Sequence, residues 1–121
     1  MELYRAITRD EYEYMQENGL HVLTGEKWFT TDRVYLSRVV SHYGRDITHV
    51  ITAEIDNDYL MNNAAAKRCK TMPALYRRLP TYHKGAAIQI KQEKGIINIG
   101  FMSDTALVTV KIITVKVIAG D

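Results

Sequence analysis

The strongest constraint on the fold is a group of strand-like segments in the C-terminal half of the chain. Residues 86–91 alternate between apolar and polar side chains, and residues 95–101 are mainly apolar. Residues 106–118 are rich in Val, Ile and Thr, with a bend expected inside them. Helical patterns lie mainly in the N-terminal half. Helices and strands segregated in this way predict an α+β fold with N-terminal strand–helix units and a mostly antiparallel C-terminal sheet.

The chain is predicted to begin with a strand followed by a helix. Residues 3–7 are typical of a short strand. Thr8 and Glu11 have the spacing of a capping box, in which the Thr hydroxyl accepts a backbone N–H at the helix start. Gly19 suits the helix end, because glycine readily adopts the conformation needed there. A brief extended segment is expected at residues 20–23.

A second strand–helix unit follows. Residues 28–29 form a short strand, and an amphipathic helix runs from Asp32 until Gly44 closes it. Thr31 or Asp32 provides its N-cap. The apolar stripe of this helix, with i, i+3, i+4, i+7 spacing, comprises Leu36, Val39, Val40 and Tyr43.

The middle of the chain has a less regular pattern. Residues 49–55 alternate and predict a strand, and residues 58–70 are predicted to be helical. Pro73 and Pro80 restrict residues 74–79 to one or two helical turns, because proline does not fit inside a helix.

Composition narrows the classes of site and compartment. At 121 residues, the chain fits one domain spanning residues 1–121. No apolar run approaches the roughly 20 residues that span a bilayer, and the N-terminus does not resemble a signal peptide. The single cysteine, Cys69, excludes an internal disulfide and a Cys-rich zinc site, and the four histidines lack ligand spacing. We therefore expect no metal, no membrane association and a reducing, cytoplasmic location.

Charge is unevenly distributed along the chain. Residues 1–66 carry 6 basic and 11 acidic side chains, net −5, whereas residues 67–94 carry 8 basic and 1 acidic, net +7. We call residues 67–94 the basic segment. Its candidate target-binding residues, interleaved with aromatic rings, are Arg77, Arg78, His83 and Lys84. The segment favours an anionic partner, nucleic acid or an acidic protein, and a solvated surface balanced by the acidic half is the alternative.

Two short motifs resemble those of a known family. LYRAI at residues 3–7 lies on the first predicted strand, and WFTTD at residues 28–32 lies directly before the amphipathic helix. With the order of elements around them, these motifs resemble the small ADP-ribosyltransferase-like domains, in particular the arginine-type, NAD-binding branch. That fold is shared by many bacterial toxins and phage-encoded modifying enzymes. The resemblance is closest over residues 3–55.

The resemblance implies a set of residues that contact NAD, which these enzymes use as a substrate. Arg5 would contact the NAD phosphate or ribose, since arginine offers planar, forked donors to a pyrophosphate. The hydroxyl-bearing segment before the second helix would shape the nicotinamide pocket, where a helix N-terminus adds a favourable dipole. That segment is Phe29, Thr30 and Thr31. Aromatic faces such as those of Tyr4, Trp28 or Phe29 can stack on the nicotinamide, and Tyr43 can face the pocket from the helix end.

Simpler structural roles remain open for the same positions. Arg5 can lie on the exposed side of an edge strand, and Thr31 can act as an N-cap. Trp28, Phe29 and Tyr43 can belong to the core rather than to a ligand pocket.

The catalytic acid is the third element that the resemblance implies. The family places an acidic residue at the opening of a C-terminal strand, where it bonds the nicotinamide ribose, but this chain has no Glu-x-Glu motif. Asp104, directly before residues 106–118, is the preferred candidate, and Glu93, one strand earlier, is the other. A carboxylate there would stabilise the oxocarbenium-like charge that develops as the nicotinamide bond breaks.

The leading hypothesis is NAD-dependent transfer of ADP-ribose to a macromolecular target, either protein or nucleic acid. The missing Glu-x-Glu favours an alternative, a catalytically inactive domain of the same fold that acts as an inhibitor or binding module through the basic segment. A further alternative is an RNA phosphate-removing transferase, which uses NAD on a related fold and in which Arg77, Arg78 and His83 would grip the phosphate.

Overall fold

The computed structural model describes residues 1–19, 23–43 and 46–118, with the side chains of residues 42–43 excepted. Within this part of the chain the fold is a mixed α+β arrangement of seven strands and five helices. In chain order these are β1 (Glu2–Thr8), α1 (Arg9–Asn18), β2 (Lys27–Thr30), α2 (Arg33–Tyr43), β3 (Ile47–Glu54), α3 (Asn57–Asn63), β4 (Ala64–Ala66), α4 (Ala74–Arg77), β5 (Ile88–Glu93), β6 (Ile96–Phe101), α5 (Asp104–Leu107) and β7 (Lys111–Val117). The expectations for residues 20–22 and Gly44 lie outside the described residues.

The strands form one sheet in the order β4-β5-β6-β2-β1-β3-β7. Neighbouring strands are antiparallel, except that β4 runs parallel to β5. The predicted α+β class and the mostly antiparallel pairing are confirmed, but the sheet is not confined to the C-terminal half, because β6 pairs with β2 and β7 pairs with β3. Local patterns identify strands without specifying their partners, so the mixing of N- and C-terminal strands could not be read from periodicity alone.

One face of the sheet carries the hydrophobic core. Alternate residues of the central strands, including Leu3, Ile51 and Ile99, are fully buried there. Helix α1 covers this face, and its Met15 is also fully buried. Truncating one such side chain to alanine typically costs about 2–5 kcal/mol, so this face supplies much of the stability.

The opposite face carries a polar row and is covered by α2. Cross-strand pairs place Lys91 opposite Asn98, Asn98 opposite Thr30, and Thr30 opposite Tyr4. Because directly paired residues project from the same face, these side chains form a row across β5, β6, β2 and β1. Three residues of the predicted apolar stripe of α2 are only half-buried, Leu36, Val39 and Val40, so the helix does not fill the space above this row.

The predicted helix boundaries are confirmed where side chains cap them. The Thr8 hydroxyl accepts the Glu11 N–H at 3.2 Å, and α1 ends before Gly19, whose φ is 91°. The Asp32 carboxylate accepts the Val34 N–H at 2.8 Å at the start of α2. Each such cap contributes about 1 kcal/mol.

The helix predicted over residues 58–70 is wrong beyond Asn63. The three alanines that follow form β4 beside β5. The Ala66 N–H donates to the Pro80 carbonyl at 2.8 Å, and the Lys67 N–H donates to the Ile90 carbonyl at 2.8 Å. These sheet hydrogen bonds outweigh the helix preference of alanine, which is well under 1 kcal/mol per residue over most alternatives.

The strand predicted over residues 106–118 begins only at Lys111. The Ser103 hydroxyl accepts the Ala106 N–H at 3.3 Å and caps the short helix α5. Asp104 therefore opens a helix rather than a strand, and the expected bend lies between α5 and β7.

Candidate functional site

A cavity of about 250 Å³ lies between α2 and the polar face of the sheet. Its lining combines aromatic rings with polar groups from four strands and α2: Tyr4, Arg5, Ala6, Trp28, Phe29, Thr30, Tyr35, Leu36, Val39, Lys91, Glu93 and Asn98. The cavity exists because α2 contacts β1 and β2 without packing fully onto the row beneath it. Two of the sequence motifs, at residues 3–7 and 28–32, thus border one space.

Asn98 is the most unusual residue of this cavity. It is only 7% exposed, and its Oδ1 atom has no hydrogen-bond partner among the described residues. Leaving a buried polar atom unpaired costs about 1–3 kcal/mol, and because Oδ1 has almost no accessible surface, a ligand N–H would reach it only after the side chain or its neighbours shift. Asn98 is not among the site residues predicted from the sequence. Its signal was a lone amide inside the apolar strand IINIGF.

The two threonines before α2 have different positions. Thr30 is buried, lines the cavity, and its hydroxyl accepts the Asp32 N–H at 3.2 Å. Thr31 instead bonds to β6, since its hydroxyl and its N–H donate to the Ile97 carbonyl at 2.9 and 3.1 Å. Thr31 is not part of the cavity lining, so of the predicted pair only Thr30 is placed to contact a ligand there.

Arg5 borders the cavity along β1, but its side chain is engaged elsewhere. It pairs with Ile51, which faces the core, so strand alternation directs it toward the α1 face. Nε and one Nη donate to the Glu11 carboxylate at 2.9 and 2.8 Å, and the other Nη donates to the Trp28 carbonyl at 2.9 Å. Both side chains of the ion pair are about one-fifth exposed (22% and 18%). The role of Arg5 as a phosphate ligand stays a prediction, and a phosphate would have to compete with Glu11.

Of the two acid candidates, Glu93 borders the cavity. It ends β5, and its carboxylate accepts from Lys91 Nζ at 3.0 Å. Asp104 lies outside the cavity lining, and its carboxylate accepts the Gly25 N–H at 2.5 Å, joining α5 to the turn before β2. The sequence favours Asp104 as the acid, but of the two candidates only Glu93 borders this cavity.

Trp28 forms the boundary of the cavity toward β5. Its indole lies against Gly100, where a Cβ atom would approach Cε2 and Cζ2 to 2.6 Å. Lys91 Nζ lies 4.5 Å from the indole centroid. An exposed cation–π contact contributes about 0.5–1 kcal/mol, whereas stacking of a base contributes about 1–3 kcal/mol. A flat ligand ring can therefore displace the ammonium group from the indole.

The other predicted aromatic residues differ in their accessibility. Tyr4 lines the cavity, and the Arg33 guanidinium lies over its ring. The distance from Arg33 Cζ to the ring centroid is 5.4 Å. Phe29 is fully buried and packs edge-on against Phe101 at 5.7 Å, so its ring serves the core. The side chain of Tyr43 lies outside the described residues.

The predicted target-binding residues are all exposed and none lines this cavity. They are Arg77, Arg78, His83 and Lys84. Two other members of the basic segment, Lys67 and Tyr82, line a neighbouring cavity that shares Trp28 and Lys91 with the first. The basic segment thus approaches the candidate site through Lys67, Tyr82 and Lys91 rather than through its arginines.

In the described ranges, no three His, Cys, Asp or Glu side chains are grouped to hold a metal ion. No described helix combines the length and apolar character needed to cross a bilayer. Cys69 is exposed, and hydrogen bonds from Thr71 lower its pKa, but it does not border the cavity.

No protein-family model matches this sequence, and no curated protein is significantly similar to it.

Proposed function

We propose that the protein binds NAD in the cavity beneath α2 and transfers ADP-ribose to a macromolecule. The observation that carries the proposal is the unpartnered, buried amide of Asn98 in a cavity that also has the Thr30 hydroxyl and the Glu93 carboxylate on its boundary. Of the two sequence motifs, Tyr4 and Thr30 border this cavity with their side chains, whereas Arg5 leaves β1 on the opposite face of the sheet.

The size of the cavity limits which part of NAD it holds. Its volume of about 250 Å³ is below the roughly 300–1,000 Å³ of sites that enclose a drug-sized ligand. We therefore assign it the nicotinamide and its ribose, with the remainder of NAD lying outside. The carboxamide N–H groups of nicotinamide are the donors that Asn98 Oδ1 lacks, and the flat ring fits beside Tyr4.

The proposed reaction breaks the bond between nicotinamide and C1′ of the ribose. Nicotinamide leaves with the bonding electrons, and positive charge develops on the ribose. The Glu93 carboxylate stabilises that charge and takes the proton of the target nucleophile as it bonds to C1′.

Arg5 has a supporting role in this proposal. Its charge is balanced by Glu11, and its three hydrogen bonds join β1 to the first turn of α1 and to β2. By fixing the Trp28 carbonyl, Arg5 positions the strand that carries both Trp28 and Thr30.

Calorimetric titration with NAD and incubation with labelled NAD and a cell lysate test the proposal. We expect the native chain to bind NAD and label a macromolecule. Glu93→Gln should retain binding and lose labelling by about 100-fold or more, the scale of a lost electrostatic contact in a transition state. The matched control Glu54→Gln, at the exposed end of β3, should keep both properties. Absence of both NAD binding and labelled product would reject the proposal.

A non-catalytic binding domain is the second candidate. The pairing of Arg5 with Glu11 favours it, because that pairing removes the phosphate ligand implied by the family resemblance. In that case nucleic acid or an acidic protein would bind with a steep salt dependence, and NAD would not be consumed.

A further inference from the structure

A second cavity of about 250 Å³ adjoins the proposed NAD site. It is lined by Trp28, Lys67, Tyr82, Gln89, Ile90 and Lys91. Lys67 directly follows β4, with its N–H on the Ile90 carbonyl, and the Tyr82 N–H donates to the Ala66 carbonyl at 2.9 Å. Trp28 and Lys91 belong to both cavities, so the two cavities lie side by side, and we call them together the groove.

The outer part of this groove combines ring faces with cations. Tyr82 is 45% exposed, and Trp28 presents an indole whose neighbouring ammonium a ring can displace. Lys67 is exposed, and the two ion pairs among the described residues do not include it. Five residues that line the second cavity, Lys67, Tyr82, Gln89, Ile90 and Lys91, belong to the basic segment, whose net charge is +7. Alternating aromatic platforms and cations are the recurring features of sites for single-stranded nucleic acid.

We propose that this groove binds single-stranded nucleic acid, which is then the macromolecular target of the transferase. This inference rests on the proposed function for its chemistry, but not for the binding itself. Bases stack on Tyr82 and Trp28, and Lys67 and Lys91 contact the phosphates. The next nucleotide reaches the NAD cavity, where a nucleophilic atom of its base replaces nicotinamide at C1′ and gives its proton to Glu93.

The chemistry of the groove favours a single strand over the other anionic partners. A duplex hides the faces of its bases, and an acidic peptide has carboxylates for the lysines but no flat rings for Tyr82 and Trp28. An acidic protein would therefore contact the lysines of the groove but leave its aromatic rings without a stacking partner.

Fluorescence anisotropy with labelled oligothymidylate and oligouridylate tests the binding. The chain has one tryptophan, so quenching of its emission reports stacking on Trp28 directly. Tyr82→Ala should weaken binding about tenfold, whereas the control Tyr59→Ala, at similar exposure (40%), should not. Lys67→Gln should lower the slope of log affinity against log salt by about 0.7, and the control Lys116→Gln on β7 should leave it unchanged.

Parallel NAD titrations distinguish failure of this inference from failure of the proposed function. Tyr82→Ala and Lys67→Gln should leave NAD affinity unchanged, and neither residue lines the NAD cavity. If the chain binds NAD but not the oligonucleotides, the groove proposal is overturned and the proposed function stands. Equal binding of duplex, equal binding of polyglutamate, or equal losses in the control variants would also overturn it. If the chain binds the oligonucleotides but not NAD, the proposal that the groove binds single-stranded nucleic acid stands. The proposal that this nucleic acid receives ADP-ribose then fails.

Discussion

Replacing Asn98 by leucine should stabilise the protein while weakening its binding of NAD. The side chain is 7% exposed and carries an Oδ1 atom without a partner among the described residues. Leucine is close in size and has no polar atom, so the substitution removes a desolvation cost of about 1–3 kcal/mol. Part of that gain in stability is lost because the leucine side chain would border the cavity on one side and lack packing contacts there. We expect a net stabilisation of about 1 kcal/mol, or about 4 °C in Tm for a chain of this size.

The same substitution removes the proposed acceptor for the nicotinamide carboxamide. Losing that hydrogen bond and leaving the ligand amide unpaired should cost about 2 kcal/mol, which is roughly a 30-fold rise in the Kd for NAD. Thermal unfolding and calorimetric titration of the same samples measure both effects. Asn63→Leu, on the exposed surface of α3, is the matched control and should change NAD affinity little. A variant of Asn98 that unfolds at lower temperature and keeps its NAD affinity would refute the reasoning.

Three further predictions follow from contacts around the cavity. A double-mutant cycle with Arg5→Met and Glu11→Gln, measured by urea unfolding, should give a coupling energy of about 1–2 kcal/mol, because the ion pair is mostly buried and bidentate. Additive effects of the two substitutions would contradict the structural role of Arg5. Gly100→Ala should displace the Trp28 ring, cost about 1–3 kcal/mol and shift the tryptophan emission, whereas an unchanged spectrum would contradict the close packing. Burial, and secondarily a nearby arginine, lowers the pKa of His49 below its ordinary value of about 6.5. The unfolded chain therefore binds this proton first, and stability should fall as the pH drops below about 6.5, a loss that His49→Gln should reduce.

Elements with strong local signals were predictable from the sequence. The hydroxyl of Thr8 placed three residues before Glu11 determines where α1 starts, and alternation over residues 49–55 identifies β3. In both cases the physical cause acts over a few residues, through a cap or through side-chain period, so the sequence contains it directly.

Elements that depend on distant partners were not predictable in this way. β4 is built from residues with high helix propensity. It forms a strand because it pairs with β5 and because the Ala66 N–H donates to the Pro80 carbonyl. The same holds for Asp104, whose bond to the Gly25 N–H connects residues far apart in the chain. No local pattern specifies either contact.

The position of Arg5 was partly readable from the sequence. Arg5 shares its parity along β1 with Leu3 and Ile7, both of which are buried in the core, so its side chain must leave the strand on their side. What the sequence could not supply is the partner, because the reach of Glu11 depends on how α1 folds back over the sheet. The polar row on the other face depended likewise on strand order, which brought Asn98 beside Thr30.

A crystal structure of the protein with NAD is the most direct test of whether NAD binds in the cavity beneath α2. We expect the nicotinamide carboxamide to donate to Asn98 Oδ1 and the ribose C1′ to face the Glu93 carboxylate. An NAD molecule bound elsewhere, or a cavity beneath α2 that stays empty at saturating NAD, would contradict it.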